Sequence, residues 1–274
     1  MFQAYIEGRI EYAFYGNRKV PGVIPREEIH ENQQLGVSFL VFSPTEAPFN
    51  DLRVRKAFGL TYNRQRFFDQ FTMPICRGGL VPPGMPGHSP DINLPYDVTL
   101  ARRLMSEAGY PGGKGFPAVK GIGPQGGASK FAELVRQWRE ALGVKIVLEE
   151  TALGNLTDWK KENASHILVM NGWKADYPDP DNILWKSDAI DQLKRLGWHD
   201  PAYDRLVEEA SRTPDRAKRL AMYRQADRLL VVEQALVLPI FYFLGRELIK
   251  PWVKNFKENL LGMIYLHQLI IQDH

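Results

Sequence analysis

Apolar positions along the chain recur in two rhythms, one of strands and one of helices. Short runs rich in Val, Ile and Phe predict strands at "LGVSFLVFS" (35–43), near 116–122, at 144–150, at "HILVM" (166–170), at "LVLPIFYF" (236–243) and at "MIYLHQLII" (263–271). Residues 2–15 read as a short amphipathic helix followed by a strand. Between the runs the period becomes helical. After Asn50 or Asp51, either of which can cap, Val54, Ala57, Phe58 and Leu60 form a buried stripe. Asp97 opens a second helix with Leu100, Leu104, Met105 and Ala108 on one face; Gly109 supplies a left-handed stop and Pro111 prevents continuation.

The helix expected at 128–142 places Phe131, Leu134, Val135, Trp138 and Leu142 on one side. Two more are expected, one near 200–211 and one over about 214–233, the latter with Thr213 as N-cap, Pro214 at the first helical position and Asp215 in the first turn. The stretch "RGGLVPPGMPGHSP" (77–90) is too rich in Gly and Pro for regular structure and predicts an ordered surface excursion. Alternating strands and helices imply an α/β architecture.

Composition narrows the class without naming a chemistry. At 274 residues the chain can bury a sizeable core as one large domain or two moderate ones. Its 35 basic and 32 acidic residues nearly cancel, which gives no reason to expect nucleic acid. One cysteine, Cys76, permits no internal disulfide. No apolar run is long enough to span a membrane, and the first sixteen residues lack a basic start followed by an apolar stretch.

Candidate catalytic motifs are weak. Gly121, Gly123 and Gly126 in "GIGPQG" have dinucleotide-fingerprint spacing after a strand, with Glu149 and Glu150 ending the next strand. Pro124 stiffens that turn and the preceding strand is poor, so a plain strand-to-helix loop is the preferred reading. The six histidines form no metal-binding pattern, and no metal or cofactor is expected. No G-x-S-x-G elbow occurs, and Cys76 is read as a buried or incidental thiol. Arg53, Arg55, Lys56, Arg64 and Arg66 are expected on a solvated helix face, partly paired with Asp51 and Asp69.

The stretch "NGWKADYPDPDNILW" (171–185) directly follows the apolar run "HILVM". A carboxylate at the C-terminal end of a buried strand sits where open α/β sheets form ligand clefts. Trp173 and Tyr177 could exclude water there and strengthen an ion pair to a cation such as an α-ammonium group. Asp179 and Asp181 are better read as a turn and helix start; spacing alone leaves Asp176 open between the two roles.

Several segments together resemble the solute-binding proteins of oligopeptide, dipeptide and nickel ABC transporters, known as solute-binding family 5. They are "APFNDLRVRKAFGLTYNRQRF", "YDVTLARRLMSEAGYPGGKGFP", "FAELVRQWREALGVKIVLE", "GWKADYPDPDNIL" and "YRQADRLLVVEQALVLPIFY", in family order over about 35–245. The resemblance implies an α/β fold of the periplasmic-binding-protein-like type II class, with one complete lobe and remnants of the other. Residues 1–49 would be a remnant of the first lobe, 50–245 the complete second lobe, and 246–274 a segment returning to the first. It also implies a binding protein rather than an enzyme, closing around a peptide or similar small cationic solute and delivering it to permease subunits. The location would be periplasmic or extracellular, with membrane association only through the permease or a lipid anchor outside this chain.

By the same resemblance Asp176 would receive a ligand's α-ammonium group. Trp173 and Tyr177 would form an aromatic wall, and the backbone around Asn171, Gly172 and Lys174 would pair with an extended ligand as an added strand. Two departures stand out. Family members run roughly twice this length, so about the first half is absent and a cleft with one wall should bind weakly or not at all. Some peptide-binding members carry an Arg three residues before the Trp to meet the ligand carboxylate, where this sequence has Met170. Two other readings stay open: an intracellular ligand-sensing domain of a regulator built on the same fold, and a nucleotide-dependent enzyme using Gly121, Gly123 and Gly126.

Overall fold

A computed structural model describes residues 1–16, 20–71, 75–124, 128–151, 166–169 and 172–273. Its centre is a pair of long antiparallel strands, β2 (Ile29–Phe42) and β7 (Val237–Ile249). β1 (Tyr12–Phe14) pairs with the outer edge of β7. On the other edge of β2 lie β5 (His166–Val169) and β6 (Trp173–Lys174), both antiparallel to it. β3 (Val119–Pro124) and β4 (Ile146–Thr151) extend the sheet from β5 in parallel, so its order is β1-β7-β2-β5-β3-β4 with β6 beside β2. The register of β2 against β7 shifts between Gln33 and Val37, just where β6 joins β2.

The nine residues from Gln34 to Phe42 are all buried because the sheet is covered on both faces. Leu35, Val37, Phe39 and Val41 enter one core, and Leu40 and Phe42 enter the other, as the period of two requires. The second core is roofed by α2 (Leu52–Leu60), α3 (Arg64–Phe71), α4 (Val98–Glu107) and α5 (Ala128–Leu142). The first lies under α6 (Pro180–Leu184), α7 (Asp188–Arg195), α8 (Pro201–Arg212) and α9 (Arg216–Arg228). A five-residue helix, α1 (Phe2–Ile6), packs with Ala13, Ile24 and Leu248 in a small third cluster at the far end of the β2–β7 ribbon.

Most expected elements are present. Asp51 and Asp97 cap α2 and α4 through the amides of Arg53 and Leu100, and Gly109 ends α4 at φ +95°. The stripe of α5 is buried, with Trp138 Nε1 donating to the Phe58 carbonyl at 3.0 Å.

Other expectations need correction. The cap of α9 is Asp215, not Thr213; Thr213 closes α8 by donating to the Glu209 carbonyl, so Pro214 lies outside the helix. Helix α7 was not expected, although Ser187 precedes it and Ala189, Ile190 and Leu193 recur on its buried side. The strand expected at 263–271 is a short 3₁₀ turn (Leu266–Gln268) and a two-residue strand, β9 (Ile270–Ile271), paired with β8 (Val253–Lys254).

The 77–90 stretch is ordered but is not purely a surface excursion. Leu80, Val81 and Met85 enter the core, and the buried Asp227 of α9 accepts the Leu80 amide at 2.8 Å. The basic residues of 53–66 divide between α2 and α3 rather than sharing one solvated face. Arg55 is buried and donates to the carbonyls of Phe49 and Gln234, while Arg66 pairs with Glu133 and Glu140 rather than Asp69.

Candidate functional site

The segment 172–184 begins with a backbone constraint. Gly172 has φ +107°, and a Cβ there would lie 2.0 Å from the Val37 carbonyl oxygen. Only glycine lets the chain turn this tightly against β2 and enter β6. In β6, Trp173 opposes Val37 and Lys174 opposes Gly36, and the following Ala175 amide donates to the Leu35 carbonyl at 2.7 Å. In an antiparallel ladder alternate residues exchange hydrogen bonds. Ala175 and Trp173 therefore direct their amides and carbonyls to β2, whereas those of Lys174 point to the opposite edge. Among the described strands β6 pairs only with β2, so that edge faces no strand.

The side chains are then fixed by α6. Asp179 caps this short helix through the Asp181 amide at 3.1 Å, and Pro180 occupies its first position. The helix buries Asn182, Ile183 and Leu184. Asn182 reaches back across the turn: its Oδ1 accepts from Trp173 Nε1 at 2.8 Å and from the Asp176 amide at 3.2 Å, and its Nδ2 donates to Asp176 Oδ2 at 3.3 Å. Trp173 and Asp176 are thus brought together by one buried amide. Trp173 packs partly buried against the first core, and Asp176 is exposed. Among the described residues no Lys or Arg pairs with Asp176.

The remaining acids face inward. Asp179 accepts from Arg219 of α9 at 2.5 Å, and the Tyr177 hydroxyl donates to Asp181 Oδ2 at 3.1 Å. Burial, with Asp179 alongside, raises the Asp181 carboxyl above its usual range. Tyr177 is exposed and oriented by Asp181 rather than by Asp176. Asn171, expected at the site, lies outside the described residues. Asn182 and Arg219 were not anticipated. The signal for Asn182 was a polar residue beside Ile183 and Leu184 on the buried side of a short helix; no local signal pointed to Arg219, forty residues away.

Lys174 projects from β6 toward the 258–262 stretch, where a Cβ on Gly262 would lie 2.2 Å from its Nζ. Leu35 donates its amide to the Leu260 carbonyl at 2.8 Å, so β2 links the β6 segment to this stretch. Beneath it lies Glu247, fully buried and pushed up to about 8 by burial and by the neighbouring Glu258, with Lys174 opposing the shift.

Other candidate chemistries lose their geometry. Gly121 and Gly123 lie inside β3, in register with Leu148 and Glu150, and so do not form a phosphate-binding turn; Gly126 is outside the described residues. Cys76 is buried, which pushes its thiol up to about 12. Among the described residues no group of three His, Cys, Asp or Glu is placed to hold a metal ion, and no helix is long and apolar enough to cross a membrane.

Comparison with known proteins bears on the whole arrangement. The chain is 26% identical over 258 residues to di/tripeptide-binding protein 1 of Pseudomonas aeruginosa, covering 90% of this chain and 47% of that protein. It is 26% identical over 287 residues to the probable deoxycholate-binding periplasmic protein YgiS of Escherichia coli, covering 100% and 53%. The solved structure of the E. coli murein tripeptide binding protein MppA superposes with a TM-score of 0.80 at 24% identity, over 100% of this chain and 56% of that one. The fold is that of type II periplasmic binding proteins, and the chain spans about half the length of the relatives it matches. Residues 9–191 match the sequence signature of "Bacterial extracellular solute-binding proteins, family 5 Middle", and the chain belongs to that family.

Proposed function

We propose that this chain supplies the anchoring wall of a substrate-binding component of an ABC importer. It captures peptides, or a similar small cationic solute, and hands them to permease subunits without chemical change. The observation that carries this reading is the Trp173–Asn182–Asp176 arrangement beside the open edge of β6. An exposed carboxylate with no cationic partner among the described residues suits a ligand's α-ammonium group. The outward amide and carbonyl of Lys174 suit the main chain of an extended peptide lying alongside as an added strand. The names of the P. aeruginosa and MppA relatives support a peptide as the ligand class.

In this reading residues 50–245 form the second lobe, residues 1–49 and 246–274 belong to the first, and β2 and β7 join them. Closure of the two lobes would trap the ligand. The relatives' periplasmic names support a location outside the cytoplasmic membrane. The test is calorimetry on the intact protein with tri-alanine carrying either a free or an acetylated amino terminus. Asp176→Asn should weaken binding of the free form strongly. Equal affinity in the variant and the wild type would overturn the assignment.

A further inference from the structure

We propose that Asn182 is the positioning residue of the anchor: its side-chain amide aims the Asp176 carboxylate outward without neutralising it. The inference rests on Asp176 being the ligand anchor, and it identifies what prepares that group. The orientation of the Asn182 amide follows from its neighbours. Trp173 Nε1 is a donor with no acceptor capacity, and the Asp176 backbone N–H is a second donor; both lie against the same Asn182 atom, at 2.8 and 3.2 Å. That atom is therefore the oxygen. The NH₂ group then necessarily faces Asp176 Oδ2, at 3.3 Å.

The chemistry of this choice is specific. Asn182 is 1% exposed and its partner Asp176 is exposed, so a buried, fixed group holds a carboxylate at the surface. Lys or Arg at 182 would hold the carboxylate but answer its charge, leaving less for a ligand. A carboxylate there would repel it. A neutral donor occupies one oxygen, stops the side chain from rotating, and leaves the negative charge intact. The same amide oxygen secures Trp173, so wall and anchor move as one unit. Asp179, three residues after Asp176, shows the alternative, since its charge is met by Arg219 at 2.5 Å.

Two variants of the intact protein separate this role from a structural one. Asn182→Asp keeps an acceptor for Trp173 and for the Asp176 amide but replaces the donor with an acid. Asn182→Ala removes the hydrogen bonds to Trp173 and Asp176. Tri-alanine affinity should fall roughly tenfold or more in both. Only Asn182→Asp should add a pH dependence between about pH 5 and 7, because two facing carboxyls share a proton at the acid end. Independently of any ligand, the Asn182 side-chain NH₂ resonances should move when Asp176 is changed to Asn. Unmoved resonances, or an Asn182→Asp variant that binds tri-alanine like the wild type with no added pH dependence, would overturn the positioning role. If the resonances move but Asp176→Asn binds tri-alanine normally, the contact is real and the anchor assignment is what fails; the positioning role falls with it.

Discussion

Asp179 accepts the Arg219 guanidinium at 2.5 Å and the Asp181 amide at 3.1 Å, whereas Asp176, three residues earlier, is held through its side chain by a neutral amide at 3.3 Å. The two acids share a residue type and a loop, yet their surroundings differ. One carboxylate spends its charge inside the fold, capping a helix and tying it to α9. The other is exposed, with its charge unanswered by any described Lys or Arg. A carboxylate matched by a cation acts as structure, while one fixed by a neutral donor is available for binding. The acidity of the 171–185 stretch as a whole is therefore less informative than the partner each acid meets.

The largest expected effect is on the binding side of this contrast. Asp176→Asn should cost about 2–5 kcal/mol in affinity for a peptide with a free amino terminus, because a desolvated ligand charge loses its partner. Urea unfolding of the same variant should be close to wild type; a large stability loss would show that Asp176 is as structural as Asp179.

Gly172→Ala tests the platform that both acids share. The left-handed backbone alone costs a side chain about 1–3 kcal/mol, and the clash with the Val37 carbonyl adds to it. Chemical denaturation should show the loss.

A smaller effect is expected at Asp179. Asp179→Ala removes both the cap of α6 and the partner of Arg219 and should cost about 1.5 kcal/mol. Asp179→Asn keeps a good cap, loses only a partly exposed ion pair, and should cost roughly 0.5 kcal/mol. Neither should change peptide affinity as Asp176→Asn does. Stability measured alongside affinity for the three variants decides whether the two acids differ as described.

A further effect, on stability alone, is a slope with pH. In the fold Glu247 keeps its proton up to about pH 8, whereas an ordinary Glu in the unfolded chain releases it near 4.5. The fold binds the extra proton across that window, so this group makes stability fall as pH rises through it. Glu247→Gln should flatten that part of the stability profile in denaturation series from about pH 5 to pH 8. Glu258, Tyr12 and Lys174 face the same carboxyl.

Much of the fold was legible because local burial imposes a period. The stripe of α5, the caps Asp51 and Asp97, and the apolar runs of β2 and β7 all follow from spacing and capping chemistry. Sequence and structure part where local signals compete. Thr213 and Asp215 are both good caps, and the chain uses the one that leaves Thr213 free to close α8. In "MIYLHQLII" the apolar residues Met263, Tyr265, Leu266, Ile270 and Ile271 are exposed, so their pattern reflects no strand burial within the described residues. Nothing in the sequence marks Arg55 as buried, because its carbonyl partners, one of them at Gln234, are assembled only by packing.

The candidate site divides in the same way. From the sequence alone came a strand end, a glycine, an aromatic and an acid in one loop, and the turn role of Asp179. Tertiary structure decided which acid was left exposed, since that depended on Arg219 arriving from a helix forty residues on. It also decided that Lys174 directs its backbone to the edge away from β2, because ladder alternation is defined only once β6 is registered on β2. Asn182 became visible as the link between Trp173 and Asp176 only when α6 folded its buried face back over β6. Spacing records what each residue needs from its nearest neighbours along the chain; the partners of a charge or an amide are chosen by packing.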